Sequence, residues 1–205
     1  MDYNTLASEE ALTSTVAALE ARNFKPIIVS TKEEAFAKIK ELVPAGASVM
    51  NGASTTLQQI GYIDYLKGGQ HGWNNVHEGI VNEKDPVKQN ELRRQALLSD
   101  FYLGSVHAMA ETGELVIASN SGSQLPHIVF SSPNVIFIVG TNKIVPTLED
   151  ARARLREHVV PLEDERMKSV GMGGTALNKE FIFHAEPTYT GRSITILLVK
   201  ENLGF

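Results

Sequence analysis

The sequence predicts an α/β fold, a mostly parallel sheet flanked by helices. Three observations lead there. Short apolar runs alternate with segments of helical periodicity, the order that builds βαβ units. Helix-start and turn residues stand at the junctions between them. The chain of 205 residues, 42% hydrophobic and 21% charged with no composition shift, repeat or low-complexity tract, suits one domain with a sizeable core.

The elements follow in order. Leu6, Leu12, Val16 and Leu19 fall at helical spacing, Asn23 can close that helix, and Pro26 forbids its simple continuation. Residues 27–29 read as a short buried strand. Thr31 and Glu34 form a capping box for a helix carrying Ala35, Phe36, Ile39 and Leu42, which ends before Pro44 and Gly46. Residues 47–50 read as the next strand, and Ser54, Thr55 and Thr56 open a helix through Leu57 and Ile60. Residues 67–83 are rich in Gly, Asn and His and show little periodicity, so they read as a long loop, with Trp73 and the nearby histidines as a lid or interface. Asp85 and Pro86 supply an N-cap and a first helical position for a helix through Leu92, Ala96 and Leu97. Strand-like stretches then reverse at residues 111–114, before a strand over 115–118. Residues 134–139 form the most buried-looking strand. Thr147 caps a helix holding Leu148, Ala151 and Leu155, and residues 161–170 are expected to add another. Strands over 181–184 and 194–199 close the sheet.

Composition excludes several function classes. The formal net charge of −5 is spread over both halves, so no basic footprint for nucleic acid or an anionic membrane exists. Absence of cysteine removes disulfides, thiolate nucleophiles and cysteine-ligated metals. The first ten residues are acidic without an apolar core, and no run approaches 18 apolar residues, so a cytoplasmic protein is expected.

Three polar loops at strand ends are the candidate site. Strand, then Gly52 and Ser54-Thr55-Thr56, then helix is an arrangement in which backbone amides and hydroxyls can hold a phosphate or carboxylate, although Ser54 can equally be a plain helix cap. It carries neither the phosphate-loop lysine nor the dinucleotide glycine pattern. Asn120, Ser121, Gly122 and Ser123 follow a strand and read as a hydrogen-bonding rim or a solvated turn. Gly140, Asn142 and Lys143 follow the most hydrophobic strand, where ligands of open parallel sheets bind, and Lys143 can meet an anion. Glu111 is the carboxylate nominated as general base or nucleophile. His71, His77 and Glu78 lack a metal-ligand spacing, so no metal or other cofactor is expected; His107, His127 and His184 read as core-edge histidines.

Several segments, in order, carry a family pattern: Arg93 to Phe101 as RRQALLSDF, Ala110 to Val116 as AETGELV, Val135 to Val145 as VIFIVGTNKIV, and the C-terminal LLVKENLGF. Together they resemble the LUD domain family, the lactate-utilization proteins of the LutC and YkgG type. The resemblance is strongest over residues 46–205, with 1–45 as an N-terminal helical and strand segment of one domain. It implies a fold similar to the sugar-phosphate isomerase and CoA-transferase (NagB/RpiA) group, with the three loops around one pocket. It further implies participation in lactate oxidation to pyruvate alongside iron–sulfur partner proteins. Two departures limit the transfer: relatives often carry Asn-Arg where this chain has Ser123-Gln124, and many carry a cysteine cluster that residues 171–184 lack.

Two readings follow. One is an accessory LUD protein binding a small anionic metabolite or another phosphate-bearing, nucleotide-like ligand. The other is a stand-alone isomerase, CoA-transferase or formyltetrahydrofolate cyclo-ligase-like enzyme, using Glu111 as base or nucleophile and Lys143 as electrostatic stabiliser. A homo-oligomer is suggested only by Trp73 and its loop.

Overall fold

The computed structural model describes residues 2–205. Its first helix, Glu9–Ala21 (α1), starts where the Ser8 hydroxyl accepts from the Ala11 amide, and it ends before Asn23, which takes a left-handed φ of 61°. Leu12, Thr15 and Leu19 are its buried stripe, while Leu6 lies ahead of the helix and is exposed. The strand Lys25–Val29 (β1) precedes the helix Lys32–Leu42 (α2), whose start differs in one detail from the expected capping box. Thr31 accepts from the Glu34 amide, but the Glu34 carboxylate accepts from the amide of Ser30, one residue further back.

Next come the strand Ser48–Asn51 (β2), two short helices Thr55–Gln59 (α3) and Tyr62–Lys67 (α4), and the two-residue strand Asn74–Asn75 (β3). The helices Val76–Asn82 (α5) and Pro86–Gln95 (α6) follow, with the Asp85 carboxylate accepting from the Val87 amide at 2.8 Å. Residues 67–83 are therefore not a long loop. Trp73 is buried, donates its indole N–H to the Val43 carbonyl at 3.1 Å and meets Tyr65 edge-on at 5.5 Å, so it is core and neither lid nor interface. Sequence periodicity missed this because the apolar signal is short: Trp73 anchors the stretch before α5, and α5 itself offers only Val76 and Ile80 to the core.

Strands Phe101–Gly104 (β4), Ala108–Ala110 (β5), Leu115–Ser119 (β6), Asn134–Gly140 (β7) and Ile144–Val145 (β8) come next. Helix Leu148–Arg154 (α7) runs through a wide π turn, Leu155–Val159, into helix Val160–Ser169 (α8). The expected second helix at 161–170 is thus the continuation of the first. Pro161 has no N–H to give the turn before it, and the helix widens there without stopping. Strands Lys179–Phe183 (β9) and Ser193–Val199 (β10) complete the chain.

Six strands form a wholly parallel sheet in the order β1-β10-β7-β4-β2-β3. β7 and β10 lie inside it, and their residues alternate between two cores. Val135, Phe137 and Val139 pack with α1 and β6, whereas Ile136 and Ile138 pack beneath α2, α3 and α4. β1 is an edge strand, and Ile28 is 46% exposed, so the reading of 27–29 as a buried strand is corrected. β9 does not close this sheet. It belongs to a second sheet, β8-β5-β6-β9, in which β6 pairs antiparallel with β5 and β9. Leu115 and Ile117 of β6 face the large sheet; Val116 and Ala118 face α7. The layers are helices, large sheet, small sheet, and the α7–α8 helix. Among the described residues, no helix is long and apolar enough to cross a membrane.

Candidate functional site

A cavity of about 440 Å³ opens at the carboxyl ends of β2 and β4, roofed by α8. Its lining includes Gly52, Ser54, Thr55, Thr56, Asn120, Ser121, Ser123 and Lys143. These expected residues come from three separate loops, and the large sheet and the small sheet bring them together.

Gly52 is required for room. A Cβ there would lie 3.0 Å from the Gln124 side-chain oxygen and 3.1 Å from the Tyr102 hydroxyl. α3, which follows, is a single turn, and the Ser54 hydroxyl already accepts from the Leu57 amide, so Ser54 acts as a cap and the macrodipole behind the loop is small. In the second loop, Ser119 accepts from the Gly122 amide, and Gln124 donates to the Ala118 carbonyl. Gly122 does not line the cavity: it turns the loop at φ 88° with Lys179 against it. Asn120 is tied to Asn178 across the loop.

Lys143 is the centre of the floor. It is 4% exposed, and its amine donates to the Thr56 hydroxyl (3.1 Å), the Ser105 hydroxyl (3.1 Å) and the Val106 carbonyl (3.2 Å). Among the described residues it forms no ion pair with a carboxylate. Burial, followed by the charge of Arg154, brings the amine down to about 7. Arg154 is itself buried. It donates to the carbonyls of His107 and Tyr3, also without a carboxylate partner, and burial lowers it to about 10. Among the described residues neither cation has a carboxylate partner, so this end of the cavity is electropositive whenever the lysine is protonated.

Gly140 and Asn142 sit beneath the floor and not in it. Asn142 accepts from the Leu203 amide at 3.2 Å, and a Cβ at Gly140 would lie 2.4 Å from that same Asn142 oxygen. Both fasten the segment that lays Gly204 over the lysine, where a Cβ would be 2.7 Å from the amine nitrogen.

Glu111 is not in the cavity. It occupies the β5–β6 turn, where its amide donates to the Val145 carbonyl. The loop after Ser119 lies at the other end of β6, roughly 13 Å away at the rise of a strand. The turn belongs instead to a surface network in which Arg22 bonds Glu114 and the Thr112 carbonyl.

Several lining residues were not legible locally. His107, expected from the sequence at the core edge, lines the cavity. Its Nδ1 accepts from the Ala118 amide at 3.1 Å, which places the proton on Nε2, and burial with the nearby Lys143 and Arg154 holds it down to about 3. It is a neutral donor at physiological pH. His127 is buried, with its ring stacked on Tyr102 and its Nδ1 beside Ser132; His184 is exposed. On α8, Arg166 and Glu163 form a bidentate pair at 2.7 and 2.6 Å, so their charges cancel. Ser105 carried a signal, since it follows a strand end as the other loops do; α8 carried none. His71 accepts from the Trp73 amide, and among the described residues no group of three His, Cys, Asp or Glu is placed to hold a metal.

The family model for the LUD domain matches residues 12–199, which takes in most of the N-terminal segment as well. Among solved structures, the chain is similar to a DUF162 family protein from Deinococcus radiodurans. The TM-score is 0.55 and the identity 13%, over 95% of this chain and 98% of that one, a likeness of fold. No curated protein matches it.

Proposed function

We propose, for a chain that belongs to the LUD domain family, that it binds a small anionic metabolite or nucleotide-like ligand over Lys143. In this reading it is a cytoplasmic accessory component of lactate utilization, working beside iron–sulfur partner proteins that carry the electrons. The family supports the physiological half. One observation carries the binding half: a buried lysine at a cavity floor that, among the described residues, forms no ion pair with a carboxylate. Removing an ammonium from water is costly: without a counter-charge the amine gives up its proton more readily, and an anion from solution would hold it protonated.

The enzyme reading needs a carboxylate opposite Lys143. Glu111 is on the wrong end of β6, and Glu163, the one acidic side chain among the described lining residues, is held by Arg166. The binding reading is therefore the better supported.

The test is a thermal-shift series with lactate, pyruvate, sugar phosphates, nucleotides, CoA esters and folates, repeated on Lys143→Met. A ligand at about 100 times its dissociation constant stabilises by roughly 2.7 kcal/mol, several degrees for a chain of this size. A shift present in the parent and lost in the variant is expected; no shift with any anion refutes the reading.

A further inference from the structure

The cavity exceeds what a three-carbon acid requires. At about 440 Å³ it lies within the range that takes drug-sized ligands, roughly 300–1,000 Å³. Its two ends differ in chemistry. Thr56, Ser105 and Lys143 form the polar floor, whereas α8 and the turn before it present an aliphatic wall. Leu155, Val159, Val160 and Met167 recur at helical spacing, so one face of the helix points at the cavity; the paired Glu163 and Arg166 interrupt that face, and Leu177 and Met172 extend its apolar part to the mouth. Lactate on the floor would leave the half-buried Val160, Met167 and Leu177 and the exposed Met172 uncovered.

The charges are equally selective. Arg166 is neutralised by Glu163 and His107 is uncharged, which leaves Lys143 as the one uncompensated cation among the described lining residues. A polyphosphate would bring several negative charges to this one lining cation and the buried Arg154 behind it.

We infer that the cavity takes a monoanion with an aliphatic body, an acyl-type carboxylate whose head meets Lys143 and whose tail lies along α8. This rests on the reading that Lys143 receives an anion, and it names the substrate class. The aliphatic choice follows from the wall: branched and thioether side chains conform to a methylene chain.

Isothermal titration at about pH 6.5, where the amine is mostly protonated, compares butanoate, hexanoate and octanoate with inorganic phosphate, pyruvate and ATP. Each added methylene is expected to tighten binding roughly three- to fourfold until the wall is covered. Met167→Gln, checked for folding by its melting curve, should weaken octanoate several-fold and leave phosphate unchanged. Lys143→Met should weaken every carboxylate and preserve the dependence on length. Phosphate or pyruvate binding with no gain from a longer chain overturns the inference and leaves the anion site standing. So does a gain that Met167→Gln leaves intact, which would put the tail elsewhere. Binding of no anion at all overturns both this inference and the proposed function.

Discussion

A lysine that titrates at about 7 in the folded chain and at 10.5 when unfolded makes stability depend on pH. Between those values the unfolded chain holds the extra proton, so stability rises as pH rises through the interval. The slope reaches about 1.4 kcal/mol per pH unit, and the full interval is worth on the order of 5 kcal/mol. Lys143→Met abolishes this titration while keeping the bulk of the side chain. The two hydroxyls that the amine contacts, on Thr56 and Ser105, do not titrate. His107, held down to about 3, stays neutral throughout, and Arg154, lowered to about 10, stays charged through most of the interval. Urea unfolding of both proteins at half-unit steps from about pH 6.5 to 9 isolates the lysine by subtraction. The parent should gain about 2–3 kcal/mol on the variant across that range. A flat difference would mean that the amine stays protonated in the folded chain, and the account of the cavity floor would be wrong. The same proton controls the ligand: anion affinity should be level below pH 7 and fall up to tenfold per unit above it.

Glu186 and Arg192 form a buried ion pair at 2.9 Å, and the same guanidinium donates to the carbonyls of His127, Ile128, Val129 and Ser132. Glu186→Ala should cost about 3–5 kcal/mol in urea unfolding, because it strands a buried charge; a loss under about 1 kcal/mol would contradict that. Gly140→Ala drives a methyl into Asn142 and the 201–203 backbone and should cost about 1–3 kcal/mol. Hydrogen exchange at the Leu203 amide should quicken with it, and unchanged protection would refute the fastening role. Trp73→Ala should destabilise by about 3–5 kcal/mol, as a core residue does, and a neutral result in melting experiments would return it to the surface. Glu111→Gln should leave ligand affinity unchanged by titration; a several-fold loss would bring the β5–β6 turn back into the site.

Much of the fold was legible because its signals are local. Thr31, Ser54, Asp85 and Thr147 each cap a helix with the side-chain bond that their position implies. β7 and β10 are apolar on both faces, the mark of interior parallel strands. The small sheet was not legible, since β5 and β8 have three and two residues, too few for alternation to register. The candidate site divides the same way. The sequence alone marked the polar loops at strand ends, because glycine, serine and asparagine after an apolar run are a local pattern. The family resemblance implied one pocket for the three loops; the tertiary structure decided which residues of each reach it. It excluded Glu111 by the length of β6 and added α8 by packing. It also buried Lys143 among partners 87 and 38 residues away, Thr56 and Ser105. A side chain's desolvation is a property of everything packed around it, and a lysine in a loop carries no local trace of that.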